Sequence, residues 1–472
     1  MILPNLKEAK KRTKDPVLTK QFNISNDLVL IGQGKSYYIK TYGCQMNERD
    51  SEDIKGILEH IGFKEVFDYE QADLVLLNTC SIRENANDKA FGMLGRLKHL
   101  KQQKKDLIVG LCGCMAQEEI VINQILTKYK WLNFVFGTHN IINLPYLINQ
   151  NMIFNKLMIE VPSIEGNIIE GIPSKRLFNH KAFVNIIYGC DKFCTYCIVP
   201  YTRGKQRSRT KEDIIKEIKA LKKLGYQEVT LLGQNVNAYG KDLYNNYNLA
   251  NLLEEVSKLG IARIRFVTSH PWDFTDEMID VIAKYDNIMP AIHLPIQSGS
   301  NRILKLMGRR YTKEDYITLF NKIKKKIARV SISTDIIVGF PTETESDFNE
   351  TIDLVNTCHF DNAFTFIYSK RVGTVAFKME DNIQEKVKEQ RLQLLNKTVN
   401  KYFLQNNLKY ENQIVEILVD GIDLKTKQLY GYTDTNKLVY FPGTENLIGH
   451  IIKVKITKPK TWSLEGIIQS EN

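Results

Sequence analysis

Apolar positions along this chain follow two periods that alternate at short intervals. In SYYIKTYGC (36–44), DLVLLNTC (73–80) and DLIVGLCGC (106–114) they run together or alternate, as in buried strands, and FVFG (134–137) repeats this briefly. Between them, NERDSEDIKGILEHIGF carries Ile54, Ile57, Leu58 and Ile61 at helical spacing, and RENANDKAFGMLGRLKHLKQQ is helical by composition. Strands alternating with helices predict a parallel sheet covered on both faces, here an α/β domain over 36–152. The polar residues 1–35, with a Gly-Gln-Gly turn at 32–34, read as a loosely held extension. Residues 153–175, broken by Pro162, Gly166, Gly171 and Pro173, read as a linker or a pair of edge strands.

A second alternating series fills 176–407. Strand patterns at 182–190, 228–235, 262–271, 290–297, 330–340 and 363–369 enclose helical stretches near 211–224, 248–258, 274–284, 312–327 and 343–357. That order predicts a partial (β/α)6 barrel, with a polar helix over 383–407 leading out. From 408 to 471 short strands follow with turn residues at close intervals (QIVEILVDGI, QLYGYTDTN, KLVYFPGT, GHIIKVKITKPK, SLEGIIQ). This is the pattern of a small all-β barrel, a class that includes oligonucleotide-binding modules.

Composition adds less than pattern. The 472 residues carry 65 Lys and Arg against 54 Asp and Glu, a net charge of +11, and mean hydropathy is −0.28. The positive excess is compatible with a polyanionic partner. No apolar run reaches the about 18 residues a membrane helix needs. The basic start MILPNLKEAKKRTKD lacks the apolar stretch of a secretory signal. A cytoplasmic chain, monomeric and without membrane attachment, is the expectation. No phosphate-binding G-x-x-x-x-G-K-[ST] loop is present.

Chemistry enters with the cysteines, at 44, 80, 112, 114, 190, 194, 197 and 358. A chain this long in a reducing compartment needs no disulfide framework, which favours metal or redox roles. Cys190-Asp-Lys-Phe-Cys194-Thr-Tyr-Cys197 sets three thiols in one loop at the end of the first barrel strand. A structural zinc site ordinarily takes four protein ligands, and no fourth is near. Cysteine thiolates are the usual ligands of a [4Fe–4S] cluster, so three would leave one iron open to a small molecule, at the C-terminal mouth where barrels keep their sites. Structural zinc or chance clustering is the alternative. Cys44, Cys80 and Cys114 each stand at or just past the C-terminal end of a predicted strand, the edge where open parallel sheets bind ligands. Three thiols distant in sequence can meet there, and the same count again suits a cluster with an open iron; three buried structural cysteines are the alternative. Cys112 is placed on the opposite side of its strand from Cys114, making Cys114 the ligand and Cys112 a core residue.

The run GCDKFCTYCIVPYTRG resembles the cluster loop of radical S-adenosylmethionine enzymes. TYGCQMNERDSE, NTCSIRE and GCMAQ resemble the amino-terminal domain of the methylthiotransferases within that superfamily. LLGQNVNAYG, TSHP, HLPIQSGS and DIIVGFPTET extend the likeness over 36–470, and it is strongest to the MiaB-type tRNA enzymes. The resemblance implies an enzyme with two [4Fe–4S] clusters and S-adenosylmethionine as cofactors. The open barrel iron would hold the amino and carboxylate groups of S-adenosylmethionine, and an auxiliary cluster on Cys44, Cys80 and Cys114 would supply or carry sulfur. It further implies a C-terminal TRAM domain that presents RNA and a tRNA substrate with N6-(dimethylallyl)adenosine at position 37. The reaction implied is methylthiolation at C2 of that base, with an electron donor such as a flavodoxin-type reductant. The C2–H bond is strong and non-acidic, so a radical oxidant is a sensible requirement. Both clusters must then face one substrate, which expects the first domain's crevice to cap the barrel mouth. The rival readings are a methylthiotransferase acting on threonylcarbamoyladenosine in tRNA or on a protein side chain, and a non-catalytic zinc- and RNA-binding protein.

On the same resemblance Tyr196 matches the aromatic that precedes the last cluster cysteine, a position that loop packing explains equally. Gly233, Gln234 and Asn235 end the second barrel strand and are placed to meet the methionyl part of the cofactor; a simple glycine turn is the alternative. Gln297 and Ser298, after the fourth strand, offer donors for a carboxylate or a nucleoside, and Asp335 is a candidate ribose ligand. Arg203, Arg207 and Arg209 follow the cluster loop and could hold carboxylate or phosphate bidentately. Arg309, Arg310 and Tyr311 are candidates for RNA phosphate and base stacking. His270 and His293 read as structural or substrate contacts.

Overall fold

In the computed structural model, residues 1–11, 17–81 and 84–469 are described. Part of the extension, Ile82 and Arg83 of the NTCSIRE motif and the end of the C-terminal module lie outside the described residues. The first domain is a wholly parallel sheet of six strands in the order Lys64–Glu65, Ser36–Tyr42, Leu74–Thr79, Ile108–Gly113, Phe134–Phe136, Met158–Glu160. Leu74–Thr79 and Ile108–Gly113 are buried at every residue, which is why they read as apolar runs rather than as alternation. Helices Gln45–His60 and Leu144–Phe154 pack on one face; Glu84–Gln103 and Glu119–Lys128 pack on the other.

The first domain's sheet runs past 152: Met158–Glu160 is its outer strand, and with Ile168–Glu170 it makes 153–175 a pair of short edge strands, the second of the two sequence readings of that segment. The described residues among the first 35 are docked rather than loose. Ile2 pairs with Glu160 along the outer strand, Thr19–Gln21 pairs with Ile168–Glu170, and Ile24 and Ile31 pack into the core. The chain thereby covers a sheet edge that would otherwise leave backbone groups unpaired.

The second domain contains two three-stranded parallel sheets, Arg263–Phe266, Glu228–Leu232, Lys181–Asn185 and Ala291–His293, Ser331–Val338, Asn362–Ile367. A bridge between Ile264 and Ile288 joins them into one six-stranded arc. Among the described residues the first and last strands, Lys181–Asn185 and Asn362–Ile367, do not pair with each other. The helices fall within two residues of expectation. Thr210, Asn248, Thr275, Thr312 and Thr344 each accept a backbone N–H of the first turn and so set the starts. Strands three and four stop earlier than their apolar patterns, because the residues beyond leave the sheet to build the mouth. The first strand breaks after Asn185, and Ile187–Tyr188 pairs antiparallel with Arg207–Ser208, closing the neck of the cysteine loop. The helix Glu385–Leu408 packs against the last strand and leads out.

Five strands, Ile414–Ile422, Leu429–Thr433, Leu438–Phe441, Leu464–Ile468 and Ile451–Pro459, close in that order into the C-terminal barrel. It seats on the N-terminal ends of the large barrel's strands. Asp420 pairs with His180 and Lys181, Lys437 with Asp361, and Arg263 donates to the carbonyls of Glu416 and Tyr432. The mouth at the opposite end is left to the first domain. No helix among the described residues is long and apolar enough to cross a membrane.

Candidate active site at the barrel mouth

The first sheet delivers three cysteines where its strands end. Cys44 comes two residues after Ser36–Tyr42 and caps helix Gln45–His60; Cys80 follows Leu74–Thr79 and Cys114 follows Ile108–Gly113. Two buried asparagines tie these ends together. Asn78 Nδ2 donates to Asn47 O and Ser51 Oγ, both at 2.8 Å, and Asn47 Nδ2 donates to Asn78 Oδ1 and Thr79 O, both at 3.2 Å. The Cys80 thiol hydrogen-bonds Cys44, and Cys114 stands within electrostatic reach of Cys44. The Cys44 thiol is lowered to about 6 by Cys80, Arg203 and the backbone N–H groups of Asn47 and Met46, against burial that pushes it up. Cys112 points into the core with Tyr37, Ile54 and Phe134, where burial holds it protonated. The reason it differs from Cys114 is not strand alternation, since residues two apart share a face. Gly113 turns the chain at φ 94°, and a Cβ there would lie 2.4 Å from Asn78 Oδ1 and Thr79 O.

The barrel trio is built by a similar device. Gly189, at φ 70°, turns the chain into the loop, and a Cβ there would meet Lys205 O at 2.0 Å. Gly189 N–H donates to Gln234 Oε1 at 2.6 Å, Thr195 N–H to Met307 O at 2.9 Å, and Ala376 N–H to Thr195 O at 2.8 Å. Segments beyond the second, fourth and sixth strands thus hold the loop in place. Cys190, Cys194 and Cys197 sense one another's charge. Burial raises Cys190 to about 11 and Cys197 further, so these thiols ionise only with a compensating cation. Arg309 NH1 donates to Cys194 Sγ at 3.5 Å and Arg309 NH2 to Pro295 O at 2.8 Å.

The first trio meets the barrel through an arginine and an apolar cluster. Arg203, six residues after Cys197, donates from Nε to Cys114 Sγ at 3.1 Å and from NH1 and NH2 to Asp50 at 3.2 and 2.5 Å. Met46, Phe183 and Leu232 form an apolar cluster there, with Cys44, Tyr188 and Val267 packed against it. The ligand edge of the first sheet therefore faces the barrel mouth. Among the described residues no three His, Cys, Asp or Glu side chains converge as ligands of a single metal ion do. The donor set is two groups of three thiols, which suits iron–sulfur clusters bound corner by corner. Asn235 Oδ1 and Ser269 Oγ, beyond the second and third strands, are buried without a hydrogen-bond partner, which suits a polar cofactor at the mouth.

The other expected residues divide. Gln234 positions the cluster loop, and Asn235 is fixed by donating to Asp273 at 2.8 Å. Gly233 has no room for a side chain, a Cβ meeting Ile187 Cγ2 at 2.3 Å. Tyr196 packs with Ile303, Met307, Phe340 and Tyr368 beside Arg309. Gln297 sits at φ 79° with its backbone paired to Asp335 and Ile337. Ser298 turns instead to Ser300 and Thr351. Arg209 is not brought to this group. Its Nε and NH2 bond Glu170 at 2.6 Å, and NH1 bonds Glu217 and Asn185 O at 2.7 Å. Arg309 and Tyr311 are buried or half-buried beneath the mouth rather than presented to an RNA backbone; Arg310 is exposed, over the Trp272 ring.

Asp335 faces the lumen, and so does an aromatic pair that sequence reasoning missed. Thr365 bonds Asn396 of the outer helix Glu385–Leu408, so Phe364 and Phe366 point the other way, into the barrel, 50% and 46% exposed. Phe364 pairs with Asp335 in register and meets His293 edge to face at 5.9 Å. His293 Nδ1 contacts Ser333 Oγ at 3.0 Å and Nε2 lies 3.4 Å from Asp335. Their alternation in AFTFIYS carried the signal of a face. Asp50 was also missed; it lies within TYGCQMNERDSE, and nothing local pairs it with an arginine 153 residues away.

Comparison with known proteins agrees with this architecture. Residues 184–355 match the radical SAM superfamily, 36–137 match an uncharacterized protein family designated UPF0004, and 408–468 match the TRAM domain. A tRNA-2-methylthio-N(6)-dimethylallyladenosine synthase of Bacillus cytotoxicus is 54% identical over 471 residues, covering 99% of this chain and 92% of that protein. One from Geobacillus thermodenitrificans is 53% identical over 472 residues, covering 99% and 90%. Among solved structures, the radical S-adenosylmethionine methyltransferase TsrM of Kitasatospora setae, with cobalamin and a [4Fe–4S] cluster bound, superposes with a TM-score of 0.53. That match has 13% identity and covers 73% of this chain and 77% of that one, a likeness of fold.

Proposed function

The chain belongs to the tRNA-2-methylthio-N(6)-dimethylallyladenosine synthase family of radical SAM enzymes, and on that footing we propose that it inserts a methylthio group at C2 of N6-(dimethylallyl)adenosine at position 37 of tRNA. The observation that carries the reading is Arg203 reaching from the barrel's cysteine loop to Cys114 of the first sheet. That contact supports a reading in which both thiol trios serve one mouth.

Cys190, Cys194 and Cys197 would hold one [4Fe–4S] cluster, and Cys44, Cys80 and Cys114 a second. When bound, these groups supply the electron for reductive cleavage of S-adenosylmethionine and the sulfur to be transferred. The chain's own residues do the rest. Gln234 and Thr195 fix the loop that carries the first trio. Asn235 and Ser269 leave buried oxygens for the polar end of S-adenosylmethionine. Phe364 and Phe366 offer the lumen faces against which a prenylated purine packs, and His293 with Asp335 gives that wall a polar edge. Met46, Phe183 and Leu232 keep water from the space between the domains. The C-terminal barrel presents the tRNA, a flavodoxin-type protein supplies electrons, and the chain works as a cytoplasmic monomer.

Mass spectrometry of tRNA nucleosides from a strain lacking this gene tests the reading. The 2-methylthio nucleoside should vanish, its N6-dimethylallyl precursor should accumulate, and wild-type but not Cys194→Ala protein should restore it. Persistence of the methylthio nucleoside, or loss of a different modified nucleoside, overturns the substrate assignment.

A further inference from the structure

We propose that Arg203 is the positioning residue of the first-domain site, holding Cys114 in its ligating orientation and setting how readily a cluster there accepts an electron, with Asp50 holding Arg203. This rests on the reading that Cys44, Cys80 and Cys114 carry a [4Fe–4S] cluster.

All three guanidinium nitrogens are engaged, Nε on Cys114 Sγ and the two terminal nitrogens on Asp50. Both side chains of the ion pair are 6% exposed. An apolar pair of similar volume is often as stable at such a place, so stability alone does not account for it. The backbone that carries the cation belongs to the barrel. Arg203 ends the short helix Val199–Thr202 just after Cys197 and its carbonyl accepts from Arg207 NH2 at 3.2 Å, while Thr202 O accepts from Thr138 Oγ1 of the first domain at 2.7 Å. Asp50 and Cys114 are fixed from the first domain. A change in the spacing between the two loops therefore moves a positive charge relative to one cluster ligand. A thiolate-bound cluster gains negative charge on reduction, and a dry guanidinium against its sulfur favours the reduced form. Asp50 opposes that effect while holding the arginine in place.

The test uses the full chain with Cys190, Cys194 and Cys197 changed to Ala, so that only the first-domain cluster remains after anaerobic reconstitution. Iron, sulfide and an EPR-monitored redox titration are read. Arg203→Gln should lower the reduced-to-oxidised ratio at the parent's midpoint at least tenfold, about 59 mV for a one-electron couple. Arg203→Lys should recover part of it, and Asp50→Asn should move the midpoint the opposite way. A role limited to clamping the domains predicts lost cluster content with midpoints unmoved, or moved in one direction by both charge removals; either result overturns the proposal. Should Arg203→Gln load no cluster, Arg203→Lys and Asp50→Asn must still shift in opposite directions. A parent chain that binds no iron and sulfide removes the auxiliary-cluster reading itself, and this inference with it.

Discussion

Replacing Glu217 by Gln should cost the folded chain about 3 kcal/mol. Glu217 stands on helix Lys211–Lys223 of the barrel and is shared by three arginines. It meets Arg209 at 2.7 Å, Arg176 at the start of the barrel unit at 2.6 Å and Arg49 of the first domain at 3.7 Å, with its side chain 17% exposed. Burial pushes the carboxyl up, but the three guanidiniums outweigh it and hold the group at about 2 instead of 4.5. That difference corresponds to about 3 kcal/mol in favour of the charged form. It agrees with the 3–5 kcal/mol expected when one member of a buried pair is removed. For a unit of the barrel's size this lowers Tm by about 6–12 °C. A depressed acid contributes stability that is present above about pH 4.5 and is lost as the pH falls toward about 2. Thermal unfolding of wild type and Glu217→Gln at pH 7, and then in steps below pH 4.5, should show a wide gap that narrows with acidity. A gap under about 0.5 kcal/mol at pH 7, or one independent of pH over that window, would refute the reasoning.

Other outcomes follow from single contacts. Cys114→Ala should reduce iron from about eight to about four per chain after reconstitution, whereas Cys112→Ala should leave iron unchanged and cost about 1–2 kcal/mol of stability, both read from iron assays and urea unfolding. Phe364→Ala should raise KM for prenylated tRNA about tenfold with little change in cluster absorbance, measured in single-substrate assays. His270 is buried beside Arg309, and burial first, then that cation, holds it down at about 2. A base held below its unfolded value near 6.5 contributes stability that is present above pH 6.5 and is lost as the pH falls, so His270→Gln should flatten the acid side of the stability profile by about 1 kcal/mol per pH unit. Gly113→Ala should impair loading of the first-domain cluster, because its methyl meets Asn78 and Thr79 at 2.4 Å; unchanged iron and sulfide in that variant would show that the turn relaxes at no cost.

The helices and the succession of strands along the chain were legible because their signals are local. Threonine and asparagine caps mark the barrel helices, and buried runs such as Leu74–Thr79 announce strands covered on both faces. The cysteine loop was legible because Cys190, Cys194 and Cys197 are close in the chain. What was not legible depends on partners far apart in sequence. Arg209 looked free to bind an anion, but Glu170 and Glu217 take its donors. Asp50 looked like one acid among several on a helix start, and only the fold brings Arg203 to it. The first residues looked loose because no period marks them; their order comes from pairing with Met158–Glu160 and Ile168–Glu170, strands too short to stand out.

The small C-terminal barrel grips both rims of the unclosed arc, through Asp420 on His180 and Lys181 at one side and through Lys437 on Asp361 at the other. The slot between those rims cannot widen or narrow without disturbing one of these attachments. The small module thus acts as a strap across the gap and sets the girth of the chamber at its base.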